Sequence, residues 1–169
     1  MTRITRIKAK DIMQADVVLL NAATPIAEAI GTLEELEITG APVVDSVGRL
    51  VGVLSSRDVT RKEHVREGRI APGHGEFAMG EPFDEAGDED TGEDVIYGKD
   101  DYSPAVLGDD TVADWMSPRV VSVEPEATLR EVCRTMLAEH VHRVVVAKDG
   151  KVQGILSTFD VVGVVARAD

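Results

Sequence analysis

Apolar positions fall into the same order twice along this chain. Ile26, Ala29, Ile30 and Leu33 recur at three- and four-residue spacing, as do Leu129, Val132, Cys133 and Met136. That spacing lays one apolar stripe along one helix face. A short apolar run precedes each stripe, Val17 to Leu20 and Val120 to Val123, and reads as a strand. Two β-branched runs follow each stripe. They are Ala41 to Val44 and Leu50 to Leu54 in the first case, Val144 to Ala147 and Val152 to Leu156 in the second. Ser46-Val47-Gly48 and Lys148-Asp149-Gly150 separate these runs and predict hairpin turns. Thr24 before Pro25 predicts an N-cap with proline at the first helical position. Thr128 with Glu131 predicts a capping box. A last helix is expected to start near Asp58 and near Asp160. Each unit therefore reads β-α-β-β-α.

The two units are copies. With one gap at Val47, 13 of 48 aligned pairs are identical, and most of the others keep their apolar character. The identities include Asp11/Asp114, Met13/Met116, Val17/Val120, Val18/Val121, Gly52/Gly154, Ser55/Ser157 and Asp58/Asp160. A duplicated unit of about 50 residues is too small to bury both its sheet and its helix faces, so the copies are expected to pack together.

Charge changes the picture between the copies. The chain has 31 acidic and 18 basic residues, a formal charge of −13. Residues 62–110 alone carry 15 acids and 4 bases, and the rest of the chain nets only −2. The stretch GEPFDEAGDEDTGED has too little aliphatic surface to offset its ordering entropy. Residues 65–110 are thus expected to form a mobile acidic insertion between units at 8–64 and 111–168, with a helical turn at Arg61 to Arg69. Asp88, Asp90 and Gly92 faintly resemble a calcium loop. Lys99 stands where its closing carboxylate belongs, so no calcium site is expected. The negative charge argues against nucleic-acid binding. No apolar run approaches the roughly 20 residues of a membrane helix, so no membrane partner is expected. MTRITRIKAKDIM lacks the apolar stretch of a secretory signal. A single cysteine, Cys133, excludes an intramolecular disulfide framework and leaves the cytoplasm as the expected compartment. Cys133, Met13 and Met116 are expected in the core, with Trp115 either packed or anchoring an interface.

The chemistry on offer sits at the end of each copy. Gly52 and Gly154 let a strand approach a ligand or another chain closely. Ser55 and Ser157 place a hydroxyl at the strand end, and Asp58 and Asp160 return a carboxylate three residues later. Beside the N–H groups of a helix N-terminus, this pair suits a sugar diol next to a phosphate. It equally suits an N-cap that closes a strand–helix turn. No nucleophile–base pair, P-loop or metal-ligand cluster points to catalysis.

DIM and DWM, GAPVVD and HRVVVAKDG, and GVLSSRD and GILSTFD resemble the cystathionine-β-synthase (CBS) domain. The duplicated form resembles a Bateman module. The resemblance implies an α/β (α+β) fold of two units related by pseudo-two-fold symmetry, with adenine-nucleotide clefts between them. It implies that Asp58 and Asp160 hold the ribose diol beside Ser55, Ser157 and Thr158. His142 and Arg143 resemble pairs that contact phosphate, while Thr39 and Gly40 take those places in the first unit. Arg57 adds a cation beside Asp58 where the second unit offers Phe159 for stacking. Val18 and Val121 match the stretch that brackets the base. The expected protein is a non-enzymatic regulator with no required cofactor, binding AMP or ADP, with ATP or S-adenosylmethionine as lesser options. It is expected to form a homodimer and to act on a protein partner in trans, because the chain stops just after the second unit. The competing expectation is a ligand-free interaction scaffold that uses the acidic insertion and the dimer surfaces.

Overall fold

The computed structural model describes residues 6–66 and 108–167. Most of the expected insertion, with the calcium-like stretch at Asp88 to Gly92 and the end of the turn expected to reach Arg69, lies outside the described residues. The first unit holds α1 (Ala9–Ile12), β1 (Leu20–Asn21), α2 (Ile26–Glu35), β2 (Gly40–Val44), β3 (Leu50–Ser55) and α3 (Ser56–Arg66). The second holds α4 (Val112–Trp115), β4 (Ser122–Val123), α5 (Leu129–Ala138), β5 (Arg143–Lys148), β6 (Lys151–Ser157) and α6 (Thr158–Ala166). Each forms a three-stranded sheet, ordered β1-β2-β3 and β4-β5-β6. The outer strand is parallel to the middle one and the hairpin is antiparallel. Both hairpins break register at the same place, between Val43 and Val44 and between Val146 and Ala147. Gly48 and Gly150 take φ values of +78° and +76° in the turns, where a side chain would be strained.

The apolar stripes face inward as their spacing predicts. Ile26, Ala29, Ile30 and Leu33 of α2 join Val43 and Leu54 in one buried cluster. Val132 and Met136 of α5 join Val144, Val146 and Leu156 in another. Each fully buried aliphatic side chain of this kind contributes about 1.5–3 kcal/mol.

The short segment before each copy's first strand crosses to the other unit. Ala9 lies in the core of the second unit, and Val112 and Trp115 lie in the core of the first. Backbone hydrogen bonds hold these lead-in segments in place. Gln14 and Ile155 exchange N–H···O bonds of 2.8 and 2.9 Å, and Ser117 and Val53 exchange two of 2.9 Å. The shared Asp of DIM and DWM caps its own turn, since Asp11 accepts from the Lys8 N–H and Asp114 from the Thr111 N–H. The ammonium groups of Lys8 and Lys10 both donate to Glu126, just before α5. The Lys10 hydrogen bond, followed by that of Lys8, holds the Glu126 carboxyl down at about 2.

This exchange corrects three expectations. Gly52 and Gly154 do allow a close backbone approach, but the approaching segment is the other unit's lead-in rather than a ligand or another chain. A Cβ on Gly52 would lie 2.8 Å from the Ser117 carbonyl oxygen, and one on Gly154 would lie 2.8 Å from that of Gln14. Thr24 does not cap α2. Pro25 occupies the N-cap position, and the Thr24 carbonyl accepts instead from the Val112 N–H at 2.9 Å. The turn just before α2 is thus recruited to hold the other lead-in segment. The first strands are shorter and later than the runs from Val17 and Val120 suggest, because only Leu20–Asn21 and Ser122–Val123 pair with a neighbour. Elsewhere Thr128 and Glu131 form the expected capping box. Cys133 is only partly buried, whereas Trp115 is packed and donates its Nε1–H to Asp110 at 2.8 Å.

Candidate functional site

Because each lead-in segment lies against the far unit's last strand, its continuation runs past the far unit's Ser–Asp motif. Two clefts result. The first, of about 240 Å³, is lined by Ser55, Val53, Arg119, Val121, Val141 and Arg143 among others. The second, of about 280 Å³, is lined by Ser157, Asp160, Asp16, Val18, Glu37 and Arg143 among others. Val17 and Val18 are half-buried in the second cleft rather than paired in a sheet.

The two motifs have one geometry. Asp58 Oδ2 accepts from the Ser55 N–H at 2.8 Å and from its hydroxyl at 2.5 Å. Asp160 Oδ2 accepts from the Ser157 N–H at 2.7 Å and from its hydroxyl at 2.6 Å. Each pair therefore closes a strand–helix turn, as the capping alternative requires. One carboxylate oxygen is committed to the turn. Among the described residues no hydrogen bond reaches Oδ1 of either aspartate. Asp160 lines the second cleft with that oxygen left for a hydroxyl pair, whereas Asp58 is not among the residues lining the first. Capping and diol binding are compatible in this arrangement.

The other sequence-predicted residues scatter. Arg143 is shared by both clefts and donates from Nη1 to Thr39 Oγ1 of the other unit at 2.7 Å. Its repeat partner is Gly40, so one guanidinium serves the shared wall. His142 and Thr158 line neither cleft. They face a groove of about 510 Å³ between α5 and α6, with Cys133, Leu137 and Val162. The Thr158 N–H donates to the His142 carbonyl at 2.9 Å, which ties α6 to the residue before β5. Arg57 is exposed at the start of α3 and is not among the residues lining either cleft. Phe159 is 85% exposed.

Sequence reasoning missed Asp16, Glu37 and Arg119. Asp16 follows the Gln14–Ile155 bridge by two residues, and Arg119 follows the Ser117–Val53 bridge by two. The repeat alignment carried the signal. Asp16 pairs with Arg119, a charge reversal immediately before the identical Val17-Val18 and Val120-Val121. Among the described residues no group of three or more His, Cys, Asp or Glu side chains could hold a metal. No described helix is long and apolar enough to cross a membrane.

The CBS domain family matches the chain twice, at residues 9–64 and 112–167. The chain belongs to the CBS domain family. The matched segments begin at the lead-in helices, so the exchanged turns are part of each domain. Relatives include the uncharacterized protein MJ1225 of Methanocaldococcus jannaschii, 23% identical over 151 residues. That match covers 89% of this chain and 40% of the relative, so the chain spans about two fifths of the relative's length. Similar solved structures include CBSX2 in complex with AMP, with a TM-score of 0.64 and 23% identity, covering 95% of this chain and 96% of that one. They also include the CBS domain pair of MJ0100 in complex with 5′-methylthioadenosine and S-adenosylmethionine. There the TM-score is 0.62 and the identity 18%, with the same coverage. These likenesses support the fold of a tandem CBS pair with pseudo-two-fold symmetry.

Proposed function

We propose that this CBS pair is a regulatory module that binds an adenine nucleotide in the clefts between its units and reports occupancy to a protein partner in trans. The observation that carries the reading is the Ser157–Asp160 pair. It lines a cleft, holds one carboxylate oxygen in place and leaves the other for a diol. The complexes of CBSX2 with AMP and of the MJ0100 pair with adenosyl compounds support ligands of this class. Both clefts fall just below the roughly 300–1,000 Å³ usual for small-molecule sites, which favours a single small adenosyl ligand in any cleft that is filled. AMP or ADP is preferred over ATP, because Arg143 is the single guanidinium on the shared wall. Val18 and Val121 would flank the base. Regulation of a partner requires that the ligand bind two mutual orientations of the units with different affinity.

A homodimer in the cytoplasm is part of the same proposal. Leu137, Phe159, Val162 and Val165 are 57–85% exposed on α5 and α6, and a second copy would cover them.

Calorimetric titration with AMP, ADP, ATP and S-adenosylmethionine at fixed salt tests the reading. Saturable binding is expected, weakened at one cleft by Asp58→Ala and at the other by Asp160→Ala. Thermal melts of both variants separate lost binding from the roughly 1 kcal/mol of a lost cap. Absence of binding by all four compounds would overturn the reading in favour of a ligand-free scaffold.

A further inference from the structure

We infer that the two clefts sort adenosyl ligands by charge. The first takes a phosphate-bearing nucleotide, and the second takes a nucleoside whose 5′ substituent is uncharged or cationic. This rests on the reading of the clefts as adenosyl sites. The Ser–Asp motif has the same geometry in both, so it cannot discriminate between them, and selection falls to the remaining walls. The lining of the second cleft contains Asp16, Glu37 and Asp160 against one cation, Arg143. That guanidinium already donates to Thr39. The first cleft is lined by Arg119 and Arg143. Apart from the motif, whose Asp58 is bonded to Ser55 but lies outside that lining, it has no carboxylate, so the contrast rests on Asp16 and Glu37. Arg119 also pairs with Glu139 at 2.5 Å, which orients its guanidinium and offsets part of its charge, leaving its other N–H groups for an anion on a side chain 79% exposed.

Opposite charges at equivalent places are the origin of the difference. Asp16 and Arg119 occupy the same repeat position and the same place along their lead-in segments. A concave wall of one sign concentrates its field on whatever enters. A phosphate beside Asp16 and Glu37 is repelled, whereas a thioether is indifferent and a sulfonium is attracted. In the first cleft, Arg119 and Arg143 together offer a phosphate two charged fork donors.

Titration of the full chain with AMP and with 5′-methylthioadenosine tests the inference, and S-adenosylmethionine separates the uncharged from the cationic case. AMP is expected to saturate at one per chain, and the AMP-saturated protein is expected to bind one 5′-methylthioadenosine. Arg119→Asp should weaken AMP about tenfold or more and leave the thioether unaffected. Asp16→Arg should raise the AMP stoichiometry to two. Both positions are exposed, so both variants should fold as the parent does. Two AMP per chain in the unmodified protein, competition between AMP and the thioether, or an Asp16→Arg variant that still binds one AMP would each overturn the sorting while leaving adenosyl binding intact. No binding by any of the three compounds would overturn both.

Discussion

Gly52 lies against Met116 and the Ser117 carbonyl, and Gly154 lies against Met13 and the Gln14 carbonyl in the same way. Two residues beyond those contacts the copies part, with Asp16 at one cleft and Arg119 at the other. Leu54 and Leu156 are both fully buried, while Thr39 and His142, also paired by the repeat, end up in different environments. Where an added atom would strike a backbone carbonyl, only one residue type fits, and both copies have it. Where a side chain faces a cleft, packing imposes no such limit, and charge has changed freely. The interior therefore reports the fold, and the cleft walls carry the differences on which the proposed sorting rests.

If the interiors are equivalent, matched core substitutions should cost alike. Leu54→Ala and Leu156→Ala are each expected to lose about 2–5 kcal/mol in denaturant unfolding, by similar amounts. A large gap between the two would break the equivalence. Gly52→Ala and Gly154→Ala come next. Each should cost about 1–3 kcal/mol, because the methionine can yield but the facing carbonyl belongs to the backbone. A shift in the urea midpoint at constant slope would measure this. Trp115→Phe sharpens the comparison, since Ile12 stands at the equivalent place without a polar atom. Losing the hydrogen bond to Asp110 should cost about 1 kcal/mol, visible as a lower melting temperature. Glu126→Gln should have the smallest effect, loosening the first lead-in segment only. The folded carboxyl lies at about 2, below its ordinary value of 4.5. Its contribution is therefore complete above about pH 4.5 and is lost as pH falls toward 2. Amide exchange at residues 9–14 should accordingly differ between parent and variant at neutral pH and converge near pH 2.

Much of this was legible beforehand for physical reasons. Periodicity located α2, α5 and both hairpins, because a stripe at helical spacing or a β-branched run has few ways to bury itself. The repeat revealed the packing of one copy against another. The exchange of Ala9 and Trp115 was not legible, since nothing local to a four-residue helix says whose core it enters. The place of Pro25 was present in the alignment, where it stands opposite the capping Thr128, and the local Thr-Pro signal outweighed it. Ser55, Ser157 and Asp160 were singled out by their chemistry and Arg143 by the family resemblance, and all four line a cleft, whereas Asp58 lies outside the lining of the first. Asp16, Glu37 and Arg119 were missed because an exposed charge carries no motif. His142 was expected at a phosphate through its resemblance to family His-Arg pairs, and Thr158 beside Ser157, although successive residues at a strand or helix start face different ways.

The crossing of the lead-in segments makes the seam between the units part of each unit. Any small molecule seated in a cleft touches a lead-in segment on one side and the far unit's last strand on the other. Occupancy thus tightens the joints on which the whole fold depends. Ligand concentration then enters the folding equilibrium directly, as RT ln(1 + [L]/Kd) for each filled cleft. On the proposed reading the protein's melting point would be a gauge of the metabolite around it, since each unit's core is closed by a segment of the other.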